Sequence, residues 1–417
     1  MDYNNSRIFL FTLLYHFDRI ELVYFSLFEG VSMKQFDVVI IGGGPSGSST
    51  GAILAKKGYS TLIIDKRTFP RKKLCAGGVT PQAKALYDQI FGEDSYTFSD
   101  HTDQFNIYFM EKFILKGDSF YNLNFVRREV FDNQLLTCFK KFGGQTIEGK
   151  KAVKFDLENN VVTLDDGEQI GYKVLVGADG ATSLVRKKLN KDYAPDIFCM
   201  ETYLKNTNNT RAVSLYAGMG GGYGWIFPHG DTVAVGYCGP TARSKKNYDE
   251  FRDFIKLTGF EVDEKAIRGA YIPTVPVEVP CRKNVLLVGD AGGFVFPFTG
   301  EGLCFAPYTA MRASETICAY LEGQFTQEEL AVKYKENLKK IYDLGQNFGD
   351  LMKKFAKKKR LVRMFKNSKL LRAIILKYCS RHPDFVHFAI QEGLDGNFSL
   401  KLIRKKFKQQ KKENKTK

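Results

Sequence analysis

The 417 residues include one tryptophan, five histidines and eight cysteines, and no two cysteines form a CxxC pair. Cys75, Cys138, Cys199, Cys238, Cys281, Cys304, Cys318 and Cys379 stand singly, which excludes a dithiol redox motif and the ligand spacing of zinc or iron–sulfur sites. No metal is expected, and scattered cysteines fit reduced thiols in a cytosolic protein. Nowhere does the chain supply the roughly 20 uninterrupted apolar residues that a spanning helix needs. The apolar stretches 9–15 and 22–28 are interrupted by Asp18, Arg19 and Glu21, and no small-residue cleavage site follows them, which excludes a signal peptide. Met33 directly precedes the first clear strand. The expectation is that the natural chain begins there; the alternative for residues 1–32 is a short amphipathic arm.

What is present leaves room for a large core and a buried cofactor: 44% of the residues are hydrophobic and 14% are aromatic. The net charge of +16 is concentrated at one end. Residues 351–417 carry 21 of the 62 basic residues and 4 of the 46 acidic ones, an excess of +17 that leaves the first 350 residues at −1. A neutral body with a basic appendage and no reading motif argues against nucleic acid as the partner.

Residues 36–41 (FDVVII) read as a buried parallel strand. GxGxxG follows at once on Gly42, Gly44 and Gly47, with Pro45 and Ser46 between the last two. These glycines allow a tight turn, close backbone approach to a pyrophosphate, and close packing of helix on strand. A helix is expected over 45–57, stopped by Gly58, and then a strand over 60–64 ending at Asp65, a carboxylate suited to an adenosine ribose. The strand–turn pattern recurs at 173–180 (KVLVGADG), followed by Ser183 and Arg186. It recurs again at 284–290 (NVLLVGD), which leads into Ala291, Gly292, Gly293, Pro297, Gly300, Glu301 and Gly302. An acid at a strand end can hold a ribityl hydroxyl, and a glycine-rich helix start can face the anionic edge of a reduced flavin. The expected fold is α/β: a Rossmann-type FAD-binding domain, an interleaved antiparallel-sheet substrate domain and a helical C-terminal region. No second dinucleotide fingerprint is present.

The glycine fingerprint, VGADG and GDAGGFVFPFTGEG together resemble the para-hydroxybenzoate hydroxylase superfamily of FAD-dependent oxidoreductases. KLCAGG (73–78), RREVFDNQL (Arg127, Arg128, Phe131, Asp132) and YGWIFP (223–228) are similar to its geranylgeranyl reductase family, over roughly residues 33–330. Two positions leave the family pattern: His229 stands where Lys is frequent, and Ala76 interrupts a common Cys-Gly-Gly run. The resemblance implies FAD held by Gly42, Gly44, Pro45, Ser46, Gly47, Asp65, Lys66, Arg128, Asp179, Gly180, Asp290, Pro297, Gly300 and Gly302, with Cys75, Tyr223 and Trp225 at the reacting centre. It implies hydride transfer to the double bonds of a prenyl lipid or prenylquinone, with NADPH or a protein partner as electron donor. The residues alone leave other readings open. Cys75 also fits a small buried hydrophobe, Trp225 a sheet core, and Arg71, Lys72 and Lys73 either an anion site or a solvated surface. Flavin monooxygenases and halogenases share the fold class, as do electron-transfer flavoproteins that serve membrane quinones; a flavin-free binding module is the plainest rival.

The domain reading assigns 33–94, 126–194 and 279–325 to FAD binding, and 95–125 and 195–278, with alternating runs at 104–110 and 232–236, to the substrate domain. Residues 326–400 are expected to be helical and 401–417 to form a basic disordered tail. Within 351–377, 11 Lys and Arg and no acid are interleaved with Leu, Phe, Ile, Val and Met, a pattern that fits either an anionic membrane surface or a solvated face. The expected location is cytoplasmic, peripheral to the inner face of the membrane.

Overall fold

The structure is a computed structural model that describes residues 33–343, apart from 110–111, 196, 220–221, 241–244 and 297–298, together with positions 405 and 408. The extension 1–32, the basic stretch 351–377 and the remainder of the tail lie outside the described residues, as does Pro297.

Two eight-stranded sheets organise the chain. In the first, β1 (Lys34–Ile41) lies between β2 (Thr61–Asp65) and β9 (Gln169–Gly177), parallel to both, with Ile40 beside Ile63 on one side and Val176 on the other. Parallel strands β6 (Gln145–Glu148) and β16 (Val285–Leu287) extend it, and β15 (Cys281–Arg282) pairs antiparallel with β16. Its central residues are apolar without interruption because both faces are covered. Val38, Ile40, Ile63 and Val176 pack on α1 (Pro45–Lys56) and α6 (Phe305–Leu321) through Leu54, Ala313 and Ile317. Val39, Leu62, Ile64 and Leu175 pack on the hairpin of β7 (Ala152–Asp156) and β8 (Val161–Leu164), and on Val185 and Leu189 of α4 (Leu184–Leu189). Each such aliphatic side chain contributes roughly 1.5–3 kcal/mol on burial, so this layer is the rigid platform of the molecule.

The second sheet runs β14-β10-β13-β12-β11-β4-β5-β3. Its strands are β3 (Gly78–Val79), β4 (Asp100–Phe109), β5 (Lys112–Phe125), β10 (Ile197–Lys205), β11 (Val213–Met219), β12 (Gly222–His229), β13 (Thr232–Pro240) and β14 (Arg268–Ile272). All its neighbours are antiparallel except β11 and β4. Period-two alternation gives it two unlike faces. Met200, Tyr216, Ile226, Val235 and Tyr237 form a core with Phe251, Phe254 and Ile255 of α5 (Lys245–Thr258). The opposite face carries Cys199, Glu201, Tyr203, Tyr223 and Trp225, and Ala76 of the 71–78 segment packs against it. The glycines near Trp225 serve close packing: a Cβ at Gly222 would lie 1.8 Å from the Cys238 carbonyl oxygen, and one at Gly224 would lie 2.6 Å from Phe254.

One sequence expectation is overturned. Cys199 and Cys238 are not free thiols: they face each other in register on β10 and β13, with Cα atoms 4.3 Å apart, and are joined by a disulfide. Adjacent strands bring such a pair together although 39 residues separate it in sequence, a proximity no spacing rule reveals. Cys75, Cys138, Cys281, Cys304 and Cys318 are free.

Candidate functional site

The glycine turn after β1 shows why each glycine is there. Gly42 has φ +107°, and a Cβ on it would sit 2.4 Å from the Ala178 carbonyl oxygen; one on Gly47 would sit 1.9 Å from the Gly42 carbonyl oxygen. Both are required by the protein itself. Gly44 differs: a Cβ there meets only the Arg71 guanidinium, at 3.4 Å, so its backbone borders open space directly before the N-terminus of α1. Open space at a helix start suits a pyrophosphate, with the helix amides and dipole aimed at it. Pro45 occupies the first turn of α1, and Ser46 rests against Gly289, which ties this turn to the one after β16. Asp65, buried at the end of β2, accepts from the Gly43 N–H at 2.8 Å and the Arg67 N–H at 2.9 Å. Lys66 is exposed beside it.

Arg128 opens α3 (Arg128–Lys141) and holds Asp132 one turn later with two bonds of 2.7 and 2.9 Å. Arg71 reaches the same fully buried carboxylate at 3.2 Å while stacking on Phe69. Burial alone would lower both guanidinium pKa values. At Arg71 burial prevails, whereas at Arg128 the Asp132 carboxylate reverses it and holds the group well above its ordinary value. Two cations on one anion leave a surplus positive charge beside Gly44, where an anionic cofactor needs it. Lys72 and Lys73 are exposed, so within that basic run only Arg71 belongs to the buried cluster.

The other two strand ends are locked together by Arg186. Its buried guanidinium donates to the carbonyls of Asp290 and Ala291, at 3.1 Å each, and to that of Ala181. Asp290 lies in the 3₁₀ turn Gly289–Gly292, with Oδ1 3.1 Å from the Cβ position of Gly302. The Asp179 side chain is engaged within the protein. Its carboxylate accepts from the Ser183 hydroxyl, from the Leu184 N–H at 2.6 Å and from the Val185 N–H at 3.4 Å, which caps α4. Burial raises its pKa against those bonds. Asp179 and Gly180, the latter at φ +80°, shape the turn, while the Asp179 side chain serves the helix.

Across the site, Tyr223 donates to the Thr299 carbonyl at 2.6 Å, and its hydroxyl lies 2.9 Å from the Cβ position of Gly300. The Trp225 indole lies over Gly236 and donates to Glu201 at 3.2 Å. Cys75, half-buried, stands between the two halves: Arg128 and the Gly77 N–H approach its sulfur, and Tyr203 donates to its carbonyl at 2.8 Å. His229 bonds the Ala76 carbonyl at 2.9 Å, so the two positions that leave the family pattern touch each other. Burial pushes His229 down to about 4, so the ring is neutral and can donate to that carbonyl without carrying charge. Sequence reasoning missed Glu201 and passed over Glu301. Burial raises both carboxyls to about 7. Glu201 was invisible because one strand read alone does not say which face is covered.

The glycine turn, the acid at the second strand's end, the surplus cation and the glycine-rich helix start are the parts expected of an FAD-dependent oxidoreductase. Residues 35–217 match the FAD binding domain family. The menaquinone reductase of Mycobacterium tuberculosis is 31% identical over 314 residues, which cover 67% of this chain and 76% of the relative. The geranylgeranyl diphosphate reductase of Rhodobacter capsulatus is 29% identical over 305 residues, covering 69% and 76%. A geranylgeranyl bacteriochlorophyll reductase-like protein from Thermoplasma acidophilum has the same fold, with TM-score 0.65 at 20% identity, covering 76% of this chain and 88% of that one. A halogenase, PltM, crystallised with FAD, shares the fold at TM-score 0.62 and 17% identity, with 76% of each chain covered. The chain belongs to the geranylgeranyl reductase family of FAD-dependent oxidoreductases.

Proposed function

We propose that this enzyme saturates carbon–carbon double bonds of a prenyl chain, carried by an isoprenoid lipid or a prenylquinone. One observation carries the reading: the face of the second sheet that meets the cofactor turns is walled by Ala76, Ile197, Leu215, Phe227, Ile272 and Trp225, an apolar surface suited to a hydrocarbon chain. The names of the two relatives support the same substrate class. Bound, reduced FAD supplies a hydride. The protein's share is to hold the cofactor by Gly44, Asp65 and the Arg71–Asp132–Arg128 cluster, to lay the alkene along the apolar wall, and to exclude water. An isolated alkene accepts hydride poorly, so positioning carries much of the work.

Electrons come from NADPH bound without a Rossmann domain of its own, or from a protein donor. A peripheral membrane position would bring enzyme and prenyl substrate together; among the described residues no helix is long and apolar enough to cross a membrane. The test is to photoreduce the holoenzyme without oxygen and mix it with geranylgeranyl diphosphate or menaquinone. Flavin reoxidation together with a prenyl chain heavier by pairs of hydrogens is the expected result. Flavin that stays reduced until oxygen enters, and then hydroxylates or halogenates an added aromatic, would replace the proposal with a monooxygenase or halogenase.

A further inference from the structure

A hydride alone does not complete an alkene reduction, because the neighbouring carbon must also take a proton. The site therefore needs an acid that keeps a proton near neutrality and still has an oxygen to offer. Among the residues gathered at the cofactor turns, Asp65 is bound by two backbone amides, Asp132 by two arginines and Asp179 by a hydroxyl and two amides. The carboxylate oxygens of each of these are already engaged as acceptors within the protein. Glu201 keeps one oxygen without a partner, but it is only 2% exposed, beneath the Cys75 segment.

Glu301 is different. It lies between Gly300 and Gly302, the turn that leads from the 3₁₀ segment into α6, and it is only partly covered. Its Oε1 accepts from the Thr80 hydroxyl at 2.8 Å. That hydroxyl also accepts from the Ala83 N–H as the N-cap of α2 (Pro81–Phe91), so its one proton points at Glu301. Oε1 is therefore an acceptor, and the proton of a neutral Glu301 resides on Oε2. The groups that face it from the packed elements bring no compensating charge. Thr80 comes from the segment before α2 and Cys304 from the start of α6. On the sheet side is Tyr223, whose hydroxyl is already given to Thr299. Asp290, beside Gly302, is itself an acid. Burial without a cation lifts the Glu301 carboxyl to about 7, against the Thr80 bond that would lower it.

We propose that Glu301 is the proton donor of the reduction, giving its Oε2 proton to the alkene carbon next to the one that receives the hydride. The carbon–carbon π bond breaks and two C–H bonds form, one from the hydride of the reduced flavin and one from this proton. The carboxylate left behind recovers a proton from water when the product leaves. This assignment rests on the alkene-reductase reading above.

The experiment compares wild type, Glu301→Gln and Glu301→Asp as holoproteins. Glutamine keeps the shape and still accepts the Thr80 proton, so the variant is expected to stay folded and yellow. With photoreduced enzyme and geranylgeranyl diphosphate, the wild-type rate of flavin reoxidation should fall as pH rises through about 7. Glu301→Gln should be slower by about 10²–10⁴-fold with that pH dependence gone. Glu301→Asp should recover part of the rate. Equal rates in wild type and Glu301→Gln would overturn the assignment while leaving the alkene-reductase reading standing. If no prenyl compound reoxidises wild type, that reading fails, and a second readout decides the acid: the absorbance of the oxidised flavin against pH. A shift with its midpoint near 7 that is absent in Glu301→Gln would retain Glu301 as the titrating group beside the flavin; its absence from wild type would remove it.

Discussion

The carboxylates on the cofactor side of this site and those on the substrate side live under opposite rules. Asp65 and Asp132 are answered by amides or arginines, and Asp179 by a helix start. Glu201, buried, and Glu301, partly covered, are met by a tryptophan N–H or a threonine hydroxyl and no ion-paired cation. The difference separates two tasks. Holding an anionic dinucleotide requires charges that do not move, whereas adding a proton to a carbon requires a group whose proton is loosely kept near neutrality.

The fixed side should break most completely. Gly47→Ala places a methyl 1.9 Å from the Gly42 carbonyl oxygen and should yield protein without flavin. Gly44→Ala, whose methyl meets only Arg71, should keep the fold and bind FAD more weakly; flavin absorbance and circular dichroism read both outcomes. Next in size, Asp132→Asn leaves Arg71 and Arg128 buried without their carboxylate, and urea unfolding should show a loss of roughly 3–5 kcal/mol.

His229 gives a smaller, pH-dependent effect. Its folded pKa of about 4 lies below the unfolded value, so the unfolded chain binds the proton first. The stability it allows is present above about 6.5 and is lost as pH falls toward about 4, by up to about 3 kcal/mol. His229→Asn should flatten that decline in unfolding experiments at matched pH. The smallest change is spectroscopic. Trp225, the only tryptophan, donates to Glu201, so its emission should titrate near 7 in wild type and not in Glu201→Gln. Glu201 has a raised pKa, so its contribution to stability is complete below its unfolded value and is lost as pH rises through about 7. The wild type should therefore lose ground to Glu201→Gln on the alkaline side. Flat emission across that range would merge the two classes of carboxylate.

The same division explains what could be read in the chain. The cofactor side is built from contiguous signals: a β-branched run, glycines at fixed offsets, a helix and an acid at the next strand's end, all within residues 34–65. Two further facts are local: Lys66 lies exposed beside Asp65, and the Asp179 carboxylate caps the helix that follows it. Elsewhere in the site the decisive facts are pairings between distant segments. Arg71 meets Asp132, His229 meets Ala76, Cys199 meets Cys238, and Glu201 is covered by Trp225 and the Cys75 segment. Alternation along β10 marks Glu201 as sharing a face with Cys199 and Tyr203, but only the assembled sheet shows that this face is buried.

The central claim is that flavin and alkene meet across these two sides. The most direct test is a single turnover of photoreduced holoenzyme with geranylgeranyl diphosphate in the absence of oxygen, with the products weighed by mass spectrometry. The account predicts prenyl chains heavier by whole pairs of hydrogens, in step with flavin reoxidation. Reoxidised flavin with an unchanged prenyl chain would contradict it.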